Sequence, residues 1–270
     1  MEIVLMAVFL LLGLVVGSFL NVCIDRLPAK QSIVAPPSHC PECKKRLAVR
    51  DLIPIFSYLL LKGRCRYCKS AIPKRVPFVE AATGIGFVSL LCFYGVGAEL
   101  AVSLFYFCLF IIIFVIDLEH HLILNKVVYP SAVIALIISI FLPQLTISPA
   151  LAIESHFFDL GWASGIVSCL IGGIAGFIIF FALSILTRGG MGEGDIKMAG
   201  LIGLAVGYPL VFISILLSII LGGVVAMILI LFKLKGRKQS IAFGPFLAIG
   251  AMATLLWGNE ILGWYLSMIM

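Results

Sequence analysis

Charged side chains are scarce in this sequence, because aspartate, glutamate, lysine and arginine together make up only 12% of its 270 residues. Hydrophobic residues account for 62%, well above the roughly half that a water-soluble domain carries. This composition excludes an ordinary soluble domain and requires a lipid bilayer as the solvent. The N-terminus also lacks the basic residues and the small-residue cleavage site of a secretory signal peptide, so we expect the first apolar segment to be retained.

Polar residues divide the sequence into eight apolar runs. The runs cover residues 3–22, 77–97, 99–118, 126–142, 160–187, 196–208, 209–232 and 241–268. Because a helix needs about 20 residues to cross a bilayer, the pattern predicts an all-α polytopic membrane protein with about eight transmembrane helices. We expect three parts: a first transmembrane helix over 1–22, a polar insert over 23–76, and a domain of about seven transmembrane helices over 77–270.

Basic residues are missing from every second connection between these runs. With eight spans, all 19 lysines and arginines fall on one side of the membrane, most of them within 23–76. Lysine and arginine mark the cytoplasmic side of membrane proteins, which predicts that the insert faces the cytoplasm. This orientation already accounts for the net charge of +6, so we expect no nucleic-acid partner.

Glycines recur at four-residue spacing in the later runs, a pattern that lets helix backbones approach closely in lipid. The pairs are Gly161/Gly165, Gly172/Gly176 and Gly203/Gly207. We expect them to serve packing within the chain rather than dimerisation.

The insert contains two C-x₂-C pairs, Cys40/Cys43 and Cys65/Cys68, with 21 residues between them. Two such pairs offer four thiolates, the ligand set of a structural zinc site. The insert is too small for a hydrophobic core alone, so a bound zinc ion would contribute folding energy. Disulfides or iron are the alternatives. A reducing cytoplasm disfavours disulfides, and we expect His39 to lie beside the site rather than to bind the metal.

Two aspartates, Asp117 and Asp195, stand at the predicted cytoplasmic ends of their apolar runs. A carboxylate at a membrane boundary is costly to bury, which makes it a candidate functional group. Two neighbouring carboxylates cannot both ionise and therefore share a proton, as peptide hydrolysis by an acid–base pair requires. The alternatives are structural: Asp117 could lie among lipid headgroups, and Asp195 could be the N-cap of the sixth run.

Several residues around Asp195 are candidates for supporting a catalytic loop. Glycines free of side chains let backbone adopt unusual conformations or lie beside an extended peptide. The candidates are Gly190, Gly192, Gly194 and Lys197.

The motif Gly192-Glu193-Gly194-Asp195 resembles the GxGD signature of intramembrane aspartic proteases. Other motifs resemble the bacterial prepilin peptidases, the type 4 prepilin leader peptidases that are also N-methyltransferases. These are Gly17-Ser18-Phe19-Leu20-Asn21-Val22 with Arg26-Leu27-Pro28, the paired cysteines, and Phe243-Gly244-Pro245-Phe246. The resemblance covers nearly the whole chain. The chain departs from it at Leu124-Asn125, where the family often has a proline followed by an acid.

The resemblance implies a function and its site. Asp117 and Asp195 match the catalytic pair, the four cysteines match the zinc ligands, and Glu80 matches an acidic position of unassigned role. It implies cleavage of the basic leader from prepilins or pseudopilins at the cytoplasmic face of the inner membrane. It also implies N-methylation of the new N-terminus with S-adenosylmethionine.

Two further hypotheses are compatible with the sequence. The chain could be an ion- or proton-coupled transporter that uses the same carboxylates. The insert could also dock onto a pilus or type II secretion assembly, which is compatible with catalysis.

Overall fold

The structure is a computed structural model that describes residues 2–142, 162–187, 191–232 and 242–269. These ranges are helical apart from turns and two isolated β-bridges, so the expected all-α class is confirmed for them. The α-helices are α1 (Glu2–Arg26), α2 (Phe56–Leu60), α3 (Arg75–Tyr94), α4 (Ala98–His120), α5 (Asn125–Phe141), α6 (Trp162–Leu186), α7 (Glu193–Val206), α8 (Leu210–Leu231) and α9 (Gly244–Ile269). A 3₁₀ turn covers Val49–Asp51.

Six helices have the length and apolar composition to cross a membrane, which confirms a multi-pass membrane protein. They are Glu2–Arg26, Arg75–Tyr94, Ala98–His120, Ser164–Leu186, Leu210–Leu231 and Gly244–Met268. The expected spans over 126–142 and 196–208 coincide with α5 and α7, which have only 17 and 14 residues. Eight spans therefore remain a prediction, because these two helices are short for a bilayer of about 30 Å.

The chain divides into two compact units, residues 1–112 and 113–270. In the first unit α1 packs along α3, and the polar insert connects them. Small residues allow this packing. A β-carbon added to Gly13 would lie 2.8 Å from the Gly84 Cα, and one added to Gly17 would lie 2.8 Å from the Glu80 Cα. The backbones therefore approach more closely than larger side chains permit.

In the second unit α6 packs on α7, α8 packs on α9, and α5 contacts both α6 and α7. Two of the three glycine pairs, Gly172/Gly176 and Gly203/Gly207, lie where α6 meets α7. A β-carbon on Gly203 would lie 2.0 Å from the Gly172 carbonyl oxygen, and one on Gly176 would lie 2.4 Å from the Ala199 carbonyl oxygen. Packing within the chain is confirmed at these pairs. Gly161 lies outside the described residues.

Candidate active site and metal centre

The two cysteine pairs of the insert form matching tight turns. In the first, the Cys40 N–H donates to the Lys45 carbonyl at 3.0 Å, and the Lys44 N–H donates back to the Cys40 carbonyl at 3.0 Å. In the second, Cys65, Lys69 and Ser70 repeat this pattern. Lys44 and Lys69 both adopt positive φ, 57° and 61°, directly after the second cysteine of each pair. Each turn thereby presents two sulfur atoms on one side.

The four sulfur atoms converge, since those of Cys40, Cys43, Cys65 and Cys68 all lie within 4.8 Å of one another. The Cys40 and Cys68 Sγ atoms are 3.8 Å apart, about the separation that two thiolates have on a tetrahedral zinc ion with Zn–S bonds of about 2.3 Å. All eight cysteines are free thiols, so the insert contains no disulfide. The cluster can hold a metal ion, and backbone N–H groups of Cys43 and Glu42 hydrogen bond to the Cys40 sulfur and favour its thiolate.

His39 does not belong to the four-cysteine cluster. Its Nδ1 lies 3.1 Å from the Pro37 carbonyl oxygen.

An ion pair joins the second cysteine turn to the rest of the insert. The Arg66 Nε donates to the Asp51 Oδ1 at 2.7 Å, and the Arg66 Nη2 lies 2.6 Å from the same oxygen. Hydrogen bonding from Arg66 lowers the pKa of Asp51, whose side chain is only 2% exposed. The charged pair therefore fixes the turn that contains Cys65 and Cys68 against the 3₁₀ turn.

Asp117 lies in the last turn of α4 and is 5% exposed. Among the described residues its Oδ2 has no hydrogen-bond partner. The backbone N–H of Gly244, at the start of α9, hydrogen bonds to the carboxylate. A β-carbon on Gly244 would lie 2.6 Å from the Asp117 Oδ2, so only glycine allows this helix N-terminus to approach the acid so closely.

Asp195 lies in the first turn of α7, before the apolar run 196–208 and outside the six helices long enough to cross the membrane. The N-cap of α7 is Gly192, so Asp195 is the third helical residue, and the alternative that it is the N-cap is wrong. Its carboxylate accepts a hydrogen bond from the Gly192 N–H, as a capping-box acid does. Burial, together with the negative charge of Asp117, raises the pKa of Asp195 to about 6.

The two acids therefore lie within electrostatic range of each other in the second unit. Such a pair is able to hold one proton between two carboxylates near neutral pH. The free Oδ2 of Asp117 leaves an acceptor for a water molecule or for a polar group of a substrate.

The glycine before Asp195 serves close packing. A β-carbon on Gly194 would lie 2.8 Å from the Ile123 Cβ, in the segment that connects α4 to α5. Glycine at this position thus lets the segment after Asp117 lie against the start of α7. Gly190, the first of the three candidate glycines, lies outside the described residues.

Lys197 makes its contacts with groups other than the candidate acids. Its Nζ lies 3.4 Å from the Asn125 Oδ1 and 3.8 Å from the Glu193 Oε2. Asn125 stands where the prepilin peptidases often have an acid, so at this position Lys197 donates to an amide oxygen.

Gly244 was not among the candidate site residues, although its motif was part of the resemblance. Its position in the sequence does not indicate that it contacts Asp117. The sequence feature that could have identified it is a glycine directly before Pro245 at the start of an apolar run.

Two family models match this chain. Residues 11–94 match the bacterial peptidase A24 N-terminal domain, and residues 104–227 match the type IV leader peptidase family. Among curated proteins, the prepilin leader peptidase/N-methyltransferase of Bacillus subtilis (strain 168) is 30% identical over 265 residues, which cover 98% of this chain and 99% of that protein. This chain belongs to the type IV leader peptidase family.

Two other curated prepilin leader peptidases/N-methyltransferases match this chain over a similar length. The proteins of the same name from Pseudomonas aeruginosa and Aeromonas salmonicida are 30% and 31% identical, and the alignments cover 96% of this chain and 92% and 93% of theirs. No solved structure matches. The expected family and the expected peptidase class are confirmed, which favours a leader peptidase over a transporter.

Proposed function

We propose that this chain cleaves the basic leader from type 4 prepilins or pseudopilins and then N-methylates the new N-terminus with S-adenosylmethionine. Family membership supports the reaction, and the relatives are named for both activities. The observation that carries the assignment to residues is that Asp195 feels the charge of Asp117 in the second unit: burial, together with that charge, raises the pKa of Asp195 to about 6.

The proposed hydrolysis uses one proton shared by the two carboxylates. The ionised carboxylate accepts a proton from water as the water oxygen bonds to the scissile carbonyl carbon. The other carboxyl donates its proton to the carbonyl oxygen, which gives a neutral tetrahedral diol. Its collapse breaks the C–N bond, and a proton passes to the leaving amine. We assign base and acid to the pair rather than to either residue.

Gly244 has a positioning role in this proposal. Its N–H and the positive end of α9 face Asp117 and stabilise a negative charge there. Gly192 does the same for Asp195 at the start of α7. The two helix N-termini would then hold the carboxylates in place while the shared proton moves.

We infer that the metal of the four-cysteine cluster is zinc. The donor set and the sulfur separations match a closed tetrahedral site with no open position for a substrate. Its role would be structural, since it joins two turns of an insert that has little apolar core.

We further propose the expected placement in the membrane. The first transmembrane helix covers 1–22, the insert covers 23–76, and the peptidase domain of about seven transmembrane helices covers 77–270. Because lysines and arginines concentrate in the insert, the insert and the active site would face the cytoplasm from the bacterial inner membrane. Docking of the insert onto a pilus or type II secretion assembly remains a proposal of the same kind.

The direct test uses purified protein reconstituted in liposomes and incubated with a prepilin, with and without S-adenosylmethionine. Mass spectrometry of the products should show loss of the leader in both samples and one added methyl group only with the donor. An intact prepilin in both samples, with correctly folded protein, would refute the peptidase assignment.

A further inference from the structure

The short helix α2 of the insert exposes three large apolar side chains. Phe56, Leu59 and Leu60 are 67%, 65% and 80% exposed. Because residues three and four apart share one face of a helix, the three form a single apolar patch, which we call the α2 stripe. Ile53, just before the helix, is also 49% exposed. A group of large exposed apolar side chains is typical of a protein or membrane contact surface.

The other side of α2 is fixed within the insert. Tyr58 and Leu61 line the cavity that the insert shares with α1 and the start of α3. A β-carbon on Gly63 would lie 3.0 Å from the Tyr58 Oη, so the tyrosine packs closely on the turn that follows α2. The Gly63 N–H also donates to the Tyr58 carbonyl at 2.9 Å. These contacts hold α2 in one orientation, with the α2 stripe facing outward.

A hydrogen bond ties α2 to a membrane-crossing helix. The Ile55 N–H, directly before α2, donates to the Glu80 Oε2 at 2.8 Å. Glu80 is the sixth residue of α3, so it lies about 7.5 Å along the helix axis from the first residue. A β-carbon on Gly17, within the apolar run 3–22 of α1, would lie 2.8 Å from the Glu80 Cα. Glu80 is therefore level with the apolar part of two membrane-crossing helices, and Ile55 lies within one side-chain length of that level.

Basic residues accompany the α2 stripe without any acid near them in the sequence. From Leu52 to Val79 the chain contains no aspartate or glutamate. Lys62 and Arg64 follow the stripe directly, and both are exposed. Anionic lipid headgroups attract lysine and arginine at a membrane surface. The basic leader of the proposed substrate would instead be repelled by them.

We propose that the α2 stripe enters the lipid surface at the boundary between headgroups and acyl chains, and that Lys62 and Arg64 bind anionic headgroups beside it. An apolar face with basic residues next to it is typical of helices that lie in this boundary. With only five residues, α2 is too short to bind a membrane alone. The hydrogen bond between Ile55 and Glu80 holds it at the required height.

This contact would anchor the insert to the membrane between its two ends, which continue into α1 and α3. It depends on the multi-pass character of the chain and on neither of the two proposed activities. Loss of leader cleavage or of methylation would therefore leave the proposal standing, and failure of the proposal would leave both activities standing.

Labelling by a photoreactive lipid tests the contact in the wild-type chain. The full-length protein is reconstituted in vesicles of phosphatidylcholine and phosphatidylglycerol that include a lipid with a diazirine near the start of its acyl chain. Trypsin recovers the α2 stripe in the peptide 51–62 and the 86% exposed Val34 in the peptide 31–44. We expect lipid adducts to be at least about fivefold more abundant on 51–62 than on 31–44. Adducts confined to the membrane-crossing helices would overturn the proposal.

A charge placed in the α2 stripe should lift it from the lipid. Leu60→Asp is compared with Val34→Asp, because Leu60 and Val34 are similarly exposed, at 80% and 86%. In detergent both variants should unfold at the wild-type midpoint. In vesicles Leu60→Asp should reduce adducts on 51–62 at least about fivefold, and Val34→Asp should leave them within about twofold of wild type. Unchanged adducts in Leu60→Asp would contradict the lipid contact.

The headgroup contact has its own matched pair of variants, Lys62→Gln and Lys30→Gln. Both lysines are exposed, with φ of 51° and 56°, and each N–H donates to the carbonyl of the leucine three residues earlier. Wild-type adducts on 51–62 should increase when phosphatidylglycerol is added to phosphatidylcholine vesicles. Lys62→Gln, whose tryptic peptide ends at Arg64, should lose at least half of that increase, and Lys30→Gln should keep it. Equal wild-type labelling in both kinds of vesicle would exclude the headgroup contact.

A water-soluble diazirine distinguishes lipid from a protein partner. If the α2 stripe lies in lipid, this probe should label 51–62 less in vesicles than 31–44, and a prepilin should not change the difference. If the probe labels 51–62 strongly and a prepilin protects that peptide, the stripe binds the substrate. That result would overturn the proposal.

Discussion

Replacing Gly244 with alanine adds a single methyl group beside the carboxylate of Asp117. The new β-carbon would lie 2.6 Å from the Asp117 Oδ2, 3.0 Å from its Cγ and 3.3 Å from its Cβ. Ordinary van der Waals contact begins at 3.4 Å, so the carboxylate oxygen and the helix start must separate by about a further 0.8 Å. The Asp117 side chain has little room to move away, because it is almost fully buried.

A displacement of this size should act on catalysis more than on folding. A misplacement of about 1 Å in a catalytic group can cost on the order of a hundredfold in rate. We therefore expect kcat/KM for leader cleavage in Gly244→Ala to fall by about tenfold to a hundredfold.

The assay is the rate of leader removal from a prepilin in liposomes, followed by mass spectrometry. Gly223→Ala is the matched control, since Gly223 lies in α8 of the same unit and a β-carbon there would meet nothing within 4 Å. Alanine favours a helix by up to about 1 kcal/mol over glycine, so the control should retain full activity. A wild-type cleavage rate in Gly244→Ala would refute the reasoning.

Three further predictions concern the proton, the metal and the helix packing. Because the pKa of Asp195 is raised to about 6, the two carboxylates hold their shared proton below that pH and lose it above. A pH profile of kcat/KM should therefore decline on its alkaline side with an apparent pKa near 6, and a flat profile up to pH 9 would contradict a shared proton. Elemental analysis should find one zinc ion per chain, reduced at least severalfold in Cys68→Ser but not in Cys92→Ser, and equal zinc in both variants would exclude the four-cysteine site. In Gly203→Ala the new β-carbon would lie 2.0 Å from the Gly172 carbonyl oxygen, so thermal unfolding should show that the free energy of unfolding falls by about 1–3 kcal/mol or more relative to Gly223→Ala. An unchanged unfolding midpoint would mean that α6 and α7 can move apart freely.

Local patterns in the sequence predicted the helices and the cysteine turns, because both depend on interactions between residues that are close in the sequence. Long apolar runs become helices because backbone groups in lipid must be satisfied within the segment. The spacing of Cys40/Cys43 and Cys65/Cys68 predicted two tight turns whose sulfur atoms can converge, and in the structure they do. The number of spans does not follow from these patterns, because α7, with 14 residues, is apolar but short for a bilayer of about 30 Å.

Contacts between distant parts of the chain could not be predicted from these patterns. The approach of Gly244 to Asp117 depends on how α4 and α9 pack, and neither residue has a sequence spacing that identifies the other. The hydrogen bond from the Ile55 N–H to the Glu80 carboxylate depends in the same way on how the insert folds against α3. The resemblance to the family identified both aspartates as the catalytic pair. The need for glycine at positions 194 and 244 follows only from the packing around these aspartates.

The most direct test of this account is the rate of prepilin cleavage by Asp117→Asn and Asp195→Asn, each purified and reconstituted as the full chain. Removing either acid removes half of the acid–base pair, so each variant should lose at least about a hundredfold in cleavage rate while it keeps its zinc and its S-adenosylmethionine binding. If either folded variant removes the leader at the wild-type rate, the two aspartates do not carry the hydrolysis.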